Sequence, residues 1–274
     1  MRRSVIALFV TALLATTLAA PAGAITFGQR DGNRHPNVGS IVVRFPDSEL
    51  FQWCSGTLIS EDVFLTASHC TAPLDSVVEE DGGQVLVTFD STIQESGKFY
   101  TGTWVTNPSY NNFRGKFGVS DPGDIAVILL HEAPAGITPA RLPTAGMLDQ
   151  LKRSGVLRKT RFTAVGYGMV RDTMRKGFQA IEDNVDRNFA EQGFNSLTNA
   201  WLTLAMNQTP WLYNGCTCYG DSGVPHFIHL NGAETNIVAS ITVTGDAPCV
   251  ATDKTYRTDT PSARTFLRHY VDLP

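Results

Sequence analysis

Short runs rich in β-branched residues constrain the fold of this chain more than any other feature. The runs are separated by Gly, Pro, Asn and Asp, which favour turns. They cover residues 41–45, 63–67, 84–89, 124–130, 161–168, 201–206 and 236–245. Many short strands joined by turns predict a sandwich or barrels, because a parallel sheet needs helices between its strands. The chain is therefore predicted to be mostly β.

Two segments depart from this pattern. Near the C-terminal end, Thr260 can cap a helix that has Pro261 in its first turn. The apolar face of this predicted helix contains Phe266, Leu267, Tyr270 and Val271. Residues 171–196 are charged and only weakly periodic, so the sequence leaves open whether they form a long surface loop or a short helix.

The N-terminal segment is typical of a secretory signal peptide. Arg2 and Arg3 precede an apolar run of about 16 residues, which is shorter than the roughly 20 residues that a transmembrane helix needs. The run leads to Ala22-Gly23-Ala24, a small-residue pattern that signal peptidase cleaves. We therefore predict that residues 1–24 are a signal peptide and that the protein is secreted.

The charge balance bears on the kinds of partner to expect. The chain has 22 basic and 26 acidic residues, and its basic residues form no continuous run or stripe. Binding to nucleic acid or to an anionic membrane requires such basic surfaces, so neither partner is expected. No repeat or low-complexity linker divides the chain, and we expect one compact monomer, built as a single core or as two adjoining halves.

Five cysteines lie in this predicted oxidising environment: Cys54, Cys70, Cys216, Cys218 and Cys249. Disulfides are the expected state there, and the odd number leaves at least one thiol unpaired. No HxxxH or CxxC spacing is present, so neither a metal nor another cofactor is predicted. Cys70 is expected to pair with Cys54, closing a short loop.

Three segments carry residue types that can catalyse a reaction. In residues 54–70, CSGTLISEDVFLTASHC, His69 stands beside Cys70. In DIAV, Asp124 opens an otherwise apolar strand. In residues 216–225, CTCYGDSGVP, glycines flank Asp221-Ser222 and permit a tight turn that presents main-chain N–H groups. Each segment alone has a structural interpretation, but histidine, aspartate and serine together indicate nucleophilic catalysis.

The motifs TASHC, DIAV and GDSG, in this order, resemble those of the trypsin and chymotrypsin-like serine proteases. An α/β hydrolase would instead show a G-x-S-x-G turn and the order serine, acid, histidine. The resemblance implies an all-β fold of two adjoining antiparallel six-stranded β-barrels with a C-terminal helix. Residues 25–145 would form the N-terminal barrel with His69 and Asp124, and residues 146–274 the C-terminal barrel with Ser222 and the helix.

The resemblance also implies roles for these residues. Ser222 would be the nucleophile, His69 the general base and then acid, and Asp124 the carboxylate that orients the imidazole. The N–H groups of Gly220 and Ser222 would form the oxyanion hole. The expected activity is that of a serine endopeptidase working through an acyl-enzyme, with protein or peptide substrates and possible protein inhibitors as partners.

Ile25 directly follows the predicted cleavage site, and the resemblance gives this position a meaning. In the family, the α-amino group of a new N-terminal isoleucine pairs with the aspartate that precedes the nucleophile, which here is Asp221. We therefore predict that signal-peptidase cleavage itself produces the active form. A structural alternative is that Ile25 merely begins a strand.

The specificity pocket departs from the family pattern. Cys216 stands six residues before Ser222, where trypsin-like members carry an aspartate, so trypsin-like specificity is not expected at the pocket base. The pocket edge is predicted as Ser240-Ile241-Thr242, with Ser240 also hydrogen-bonded to the triad aspartate. A small or medium apolar side chain before the scissile bond is the resulting expectation.

Two further features follow from the resemblance. It implies a bridge between Cys218 and Cys249, although a bridge between Cys216 and Cys249 is also open from sequence. Val224 stands where the family commonly has a second glycine, GDSGVP instead of GDSGGP. This change favours an alternative function, a binding protein or adhesin on a protease fold that has lost catalysis.

The remaining histidines are predicted to be structural. His226 and His229 follow the nucleophile on a strand, and their three-residue spacing directs the two side chains to opposite faces. His35, His131 and His269 have no adjacent carboxylate or cysteine group in the sequence and are predicted to lie on the surface.

Overall fold

The computed structural model describes residues 25, 27–46, 48–111, 120–171, 181–207 and 214–274. The predicted signal peptide lies outside the described residues. Within them, two antiparallel sheets account for most of the regular structure. The prediction of a mostly β chain built as two barrel-like units is confirmed.

The N-terminal sheet is curled into a half-barrel. Its strands run in the spatial order β5-β2-β3-β4-β7-β6. They are β2 (Val38–Arg44), β3 (Leu50–Leu58), β4 (Val63–Thr66), β5 (Gln84–Thr88), β6 (Gly102–Thr106) and β7 (Ala126–Leu130). An isolated bridge between Val87 and Tyr100 links β5 to the residues just before β6. Two short helices follow β4, namely α1 (Ser68–Thr71) and α2 (Leu74–Glu79).

The C-terminal sheet closes into a six-stranded barrel. Its order is β11-β12-β15-β14-β13-β8, and a further pairing of β8 with β11 completes the ring. These strands are β8 (Arg161–Gly166), β11 (Asn188–Leu197), β12 (Trp201–Ala205), β13 (Pro225–Leu230), β14 (Ala233–Gly245) and β15 (Thr252–Arg257). The short strand β1 (Gln29–Arg30) pairs with β11, so the N-terminal segment of the protein lies on the C-terminal barrel.

The remaining elements are short. Strands β9 (Val170–Arg171) and β10 (Ile181–Glu182) pair with each other. Helix α3 (Met147–Arg153) and a 3₁₀ helix (Leu157–Lys159) precede β8. None of the described helices is long and apolar enough to cross a membrane.

The seven β-branched runs all contain strands of these sheets, but residues 171–196 differ from the prediction. Residues 172–180 of that range lie outside the described residues. In the described part, residues 171 and 181–196, β11 begins at Asn188 and no helix is present. The inward positions of β11 include Asn188 and Gln192, both fully buried. Because polar residues occupy core positions, the strand lacks the apolar alternation that identifies a half-buried strand.

The C-terminal helix α4 (Pro261–Leu267) begins as predicted. The side chain of Thr260 accepts a hydrogen bond from the backbone N–H of Ala263, with an N···O distance of 3.2 Å. Phe266 and Leu267 are buried in the main apolar core, and Tyr270 and Val271 pack against it after the helix has ended. The same core contains residues of both sheets, so the two units are joined by one continuous apolar interior.

Candidate active site

His69 lies on α1, directly after β4, and its position is fixed from two sides. A disulfide joins its neighbour Cys70 to Cys54 on β3, as predicted. The Nδ1 of His69 lies 2.9 Å from Oδ2 of Asp124, and the backbone N–H of His69 donates to Oδ1 of the same carboxylate at 2.9 Å. Asp124 is fully buried just before β7, whereas the side chain of His69 is 28% exposed.

This geometry assigns the tautomer of His69. Since a carboxylate can only accept, Nδ1 carries the hydrogen and Nε2 is left with a free lone pair. A partly exposed imidazole with its basic nitrogen free can take a proton from a hydroxyl. The buried carboxylate then stabilises the cation that forms.

Ser222 lies in the turn between β12 and β13, and both units hold that turn. The carbonyl of Ser222 accepts a 2.8 Å hydrogen bond from the N–H of Ser55 on β3. The next residue, Gly223, donates its N–H to the carbonyl of Thr242 on β14 at 2.8 Å. Gly223 has φ of +84° and packs against Ser55 and Ala67, leaving no room for a Cβ. The serine turn therefore packs against the residues that precede His69.

Gly220 has its carbonyl turned toward β3. That oxygen accepts hydrogen bonds from Nε2 of Gln52 at 2.9 Å and from Oγ of Ser55 at 3.1 Å. Gly220 has φ of +88°, a conformation that glycine adopts without strain. Two donors on one carbonyl fix the peptide between Gly220 and Asp221, which lies between the two peptides whose N–H groups, those of Gly220 and Ser222, are predicted to form the oxyanion hole.

Asp221 is fully buried without a cationic partner among the described residues. Its carboxylate accepts the N–H groups of Gly168 at 2.8 Å and Cys218 at 2.9 Å. Burial raises the pKa of Asp221 to about 7, against the lowering effect of these two hydrogen bonds. A buried carboxylate of this kind is stabilised by a nearby positive charge.

Ile25 is also fully buried and belongs to a small apolar cluster with Ala164, Ala190 and Val224. The hydrogen bonds of the Asp221 carboxylate within the described residues come from Gly168 and Cys218, and none comes from Ile25. Ile25 and Asp221 nevertheless adjoin the same turn, because Val224 follows Asp221 by three residues and its N–H donates to the Asp221 carbonyl at 3.0 Å. Ile25 and Asp221, the predicted activation pair, therefore both lie next to Val224.

A cavity of about 290 Å³ opens beside Ser222. Its lining consists of Thr217, Cys218, Tyr219, Ser222, Thr242, Val243, Thr244, Gly245, Asp246, Ala247 and Cys249. The disulfide between Cys218 and Cys249 forms part of its wall, which resolves the pairing that the sequence left open. Cys216 is the free cysteine; it is buried, and burial raises the pKa of its thiol to about 12.

The cavity edge lies further along β14 than the sequence indicated. Of the four predicted pocket residues, Thr242 lines the cavity, but Cys216, Ser240 and Ile241 do not. Ile241 belongs to the apolar core, and Ser240 is fully buried with no hydrogen-bond partner for its Oγ among the described residues. The edge is instead formed by Thr242 to Gly245, because the bulges of β14 shift its register against β13 and β15.

Two buried polar clusters outside the predicted site were missed from sequence. His226 contacts Asp253 behind the cavity, and His229 contacts Thr163 on the other side of β13. The two histidines therefore point to opposite sides, as predicted. His35, predicted at the surface, is buried between Asp31 and Glu234.

The second cluster consists of Asp31, His35, Arg187 and Glu234, and it contains a buried ion pair. Arg187 donates from Nε to Oδ2 of Asp31 at 2.8 Å, and both side chains are fully buried. Burial alone would lower the pKa of His35, but its hydrogen bonds with Asp31 and Glu234 outweigh burial and raise it. The sequence gives no signal for this network, because Glu234 is 199 residues from His35, and Arg187 is 156 residues from Asp31.

Cys54, His69 and Cys70 also lie close enough together to resemble a metal site. Both sulfurs are bonded to each other in the disulfide, so neither is a thiolate that could bind a metal.

Two adjoining antiparallel β-units, with a partly exposed histidine bonded to a buried aspartate on one and a serine in a glycine turn on the other, define the serine protease fold of the chymotrypsin type. A family model described as Trypsin matches residues 28–266, and the chain belongs to the trypsin family. The solved structure of HL collagenase is similar, with a TM-score of 0.58 and 18% sequence identity over 86% of this chain and 94% of that chain. At this identity the likeness shows the fold alone. A search of curated proteins finds no match.

Proposed function

We propose that this protein is a secreted serine endopeptidase that hydrolyses peptide bonds through an acyl-enzyme. The proposal is carried by one observation, the hydrogen bond of 2.9 Å between His69 Nδ1 and the buried carboxylate of Asp124. The position of Ser222 beside a cavity large enough for a side chain also supports it. Protein or peptide substrates are the proposed partners, with protein inhibitors as a further class.

In the first step, the Oγ of Ser222 forms a bond to the substrate carbonyl carbon while His69 Nε2 takes the hydroxyl proton. The resulting oxyanion is stabilised by the N–H groups of Gly220 and Ser222. His69 then gives its proton to the leaving amine as the peptide bond breaks. Water, deprotonated by His69 in turn, releases the acyl group and restores the Ser222 hydroxyl.

We further propose that cleavage after Ala24 completes the site. A new α-ammonium at Ile25 would supply the positive charge that the buried carboxylate of Asp221 lacks. Such a pair offsets the desolvation of both ions and holds the Asp221 turn in one conformation. The turn includes the peptide of Gly220, so the charge pair would stabilise the oxyanion hole.

The test of the proposed activity is the mass of the purified secreted protein before and after treatment with a serine-directed organophosphate. We expect one adduct per chain, because only an activated serine reacts quickly. Ser222→Ala should abolish the adduct, and Ser154→Ala, at an exposed serine, should retain it. Cleavage of a peptide substrate, rather than of a small ester, is the accompanying readout.

The absence of an adduct on a folded protein would contradict the proposal. In that case the binding protein or adhesin on a protease fold becomes the better explanation. Val224 departs from the family pattern, and this departure favoured the binding-protein alternative. Its side chain is buried in the cluster with Ile25 and is not among the residues that line the cavity. The same mass measurement gives the N-terminal residue, and a start at Asp31 or His35 would contradict activation at Ile25.

A further inference from the structure

The carboxylate of Asp124 is bound by His69 alone among the described residues. Its two oxygens accept from the backbone N–H and from Nδ1 of that histidine. Ser240, which the sequence predicted as a further donor, has no hydrogen-bond partner for its Oγ in the part of the chain that the structure describes. Because His69 is the group to be oriented, the direction of the carboxylate depends on the backbone that carries it.

Two side chains of the N-terminal unit hold that backbone by its carbonyls. Ser68 Oγ donates to the carbonyl of Ile125 at 2.8 Å, and Asn107 Nδ2 donates to the carbonyl of Gly123 at 3.1 Å. Both donors are buried. The residues on either side of Asp124 are therefore fixed to the N-terminal unit.

The N–H side of the same turn is held by Asp121. Gly123 has φ of +64°, and its N–H donates to Oδ1 of Asp121 at 3.0 Å. Asp121 is partly exposed, so its carboxylate could rotate toward solvent if no other group bound it. The geometry of the turn therefore depends on what else holds Asp121.

A second hydrogen bond to Oδ1 of Asp121 comes from the other unit. The hydroxyl of Tyr256, on β15 of the C-terminal barrel, donates to this oxygen at 2.7 Å. A phenol has one hydrogen, so Ser262 Oγ, 3.3 Å from the same hydroxyl, is the donor in that contact. A hydrogen bond to an ionised carboxylate is about twice as strong as one between neutral groups.

Tyr256 is itself held in one position. Its side chain is fully buried, and its ring packs edge-on against Trp201, with the ring centroids 6.0 Å apart. Burial raises the pKa of the Tyr256 phenol, and the carboxylates of Asp121 and Asp124 raise it further. The hydroxyl therefore keeps its hydrogen and stays a donor.

We propose that Tyr256 and Asp121 are positioning residues that direct the Asp124 carboxylate toward His69. They act through hydrogen bonds and through the turn at residue 123. Because Tyr256 belongs to the barrel that carries Ser222, the same bonds fix the aspartate and histidine relative to the nucleophile. This role in catalysis rests on the proposed endopeptidase function.

The size of the effect follows from how much of the turn stays bound. A displacement of about 1 Å in a catalytic group can lower a rate by about 100-fold. Loss of the Tyr256 hydroxyl releases Asp121 but leaves Ser68 and Asn107 in place. We therefore expect a part of that loss, about tenfold.

The test measures the second-order rate constant for the reaction of diisopropyl fluorophosphate with the serine. This reagent requires an activated serine, so the result does not depend on which peptides the protein cleaves. Tyr256→Phe removes only the hydroxyl and should lower the rate constant about tenfold. Tyr100→Phe is the matched control, because it removes the hydroxyl of another buried tyrosine, whose ring contacts Lys98. It should leave the rate constant within about twofold.

Variants of Asp121 test the next bond. Asp121→Asn keeps an oxygen that accepts both hydrogen bonds and should stay within about threefold of the wild-type rate constant. Asp121→Ala should lower the rate constant as much as Tyr256→Phe does. The double variant should be no slower than Asp121→Ala, because both changes break the same chain of bonds. Additive losses, or equal losses for Asp121→Asn and Asp121→Ala, would overturn the inference.

Proton NMR in water separates positioning from a general loss of stability. The Nδ1–H of His69 donates to a buried carboxylate and should give a resonance at low field. Tyr256→Phe should shift or broaden this resonance, and Tyr100→Phe should leave it unchanged. A slower reaction with an unchanged resonance, or an unchanged rate constant, would overturn the inference.

The two readouts also separate this inference from the proposed function. If the wild-type protein forms no organophosphate adduct, the catalytic proposal fails. The response of the resonance to Tyr256→Phe then decides by itself whether these residues position Asp124. If the wild-type protein forms the adduct and Tyr256→Phe reacts equally fast, the positioning role alone is wrong.

Discussion

Val224 shows how one residue can depart from a family pattern without disturbing the site around it. Its side chain is fully buried with Ile25, Ala164 and Ala190, three residues of the N-terminal segment and the C-terminal barrel. The necessary space comes from Gly166 on β8, where a Cβ would overlap both the Val224 side chain and the Asp221 carboxylate. The glycine lost in the serine turn is therefore compensated on the neighbouring strand.

This packing makes Gly166 a sensitive position. Gly166→Ala should destabilise the protein by about 1–3 kcal/mol, because the added methyl group overpacks a filled site. Catalytic activity should fall as well, since Asp221 would be displaced. Gly193→Ala on β11 is the matched control, because the nearest atom to its methyl group would be the end of the flexible Arg161 side chain, at 3.2 Å. Chemical denaturation and peptide hydrolysis measure the two effects, and similar results for both variants would contradict the assignment.

Asp221 provides a prediction on pH. Its pKa is about 7 in the folded chain, against 3.8 for an ordinary aspartate, so the folded state binds the proton more tightly than the unfolded state. With the Ile25 amine blocked, this residue should therefore contribute less stability as pH rises from about 4 to about 7. The comparison uses two proteins that begin at Ala24 and carry Ser222→Ala, one of which also carries Asp221→Asn. The loss of stability with rising pH should be absent from the protein with Asp221→Asn.

The measurement is the free energy of unfolding of both proteins from pH 4 to pH 8. Subtracting the two curves removes the contributions of the other titrating groups, including His35 and Glu234. A difference that does not change with pH would show that Asp221 stays ionised and already has a cationic partner.

Among the secondary-structure elements, β11 connects the two units. The connection is made by Arg187, which immediately precedes Asn188, the first residue of the strand. The Arg187 guanidinium donates to the carbonyls of Val38 on β2 and of Phe89, which directly follows β5, at 3.0 and 2.8 Å. It also pairs with Asp31, which follows β1. The charged side chain of Arg187 therefore links Asp31, in the N-terminal segment, to both barrels. An apolar side chain at this position could not donate a hydrogen bond to the carboxylate or to the two carbonyls.

Removing one member of this buried pair should be costly. Arg187→Met should destabilise the protein by about 3–5 kcal/mol, because the carboxylate of Asp31 would remain buried without its guanidinium partner. Arg161→Met breaks the partly exposed pair with Glu191 and should cost only about 0–1 kcal/mol. Urea denaturation of both variants checks this, and a cost for Arg187→Met no greater than for Arg161→Met would be inconsistent with the proposed role of the pair.

At the scale of the whole molecule, the candidate site forms between the two units. His69 and Asp124 belong to the N-terminal unit, on α1 and just before β7, and Ser222 belongs to a turn of the C-terminal barrel. Ser55 on β3 bonds to that turn. The N-terminal segment pairs with β11 through β1, and its residue Ile25 lies in the apolar cluster with Val224. Catalytic competence should therefore depend on where the chain begins.

A chain that begins at Ile25 should be active, and a chain that keeps Ala24 should be less active by about 100-fold or more, since the amine of Ala24 cannot reach the position of the Ile25 amine. Activity per reactive serine, with the organophosphate adduct as the count, is the measurement. Equal activity of the two chains would rule out a role for the Ile25 amine.

The sequence by itself determined the β class, the C-terminal helix and the serine protease resemblance, because each depends on local information. Strand runs such as 124–130 carry their own periodicity, Thr260 and Pro261 mark a helix start within a few residues, and the motifs around His69, Asp124 and Ser222 are contiguous. Only the tertiary structure decided the features that depend on contacts between distant residues. These are the strand β11 with its buried amides, the burial of His35, the edge of the cavity at Thr242 to Gly245, and the hydrogen bond from Tyr256 to Asp121 between the two units. A polar residue in a core is stabilised by partners far away in the chain, and β-bulges shift register without a clear local signal, so the sequence does not disclose either one.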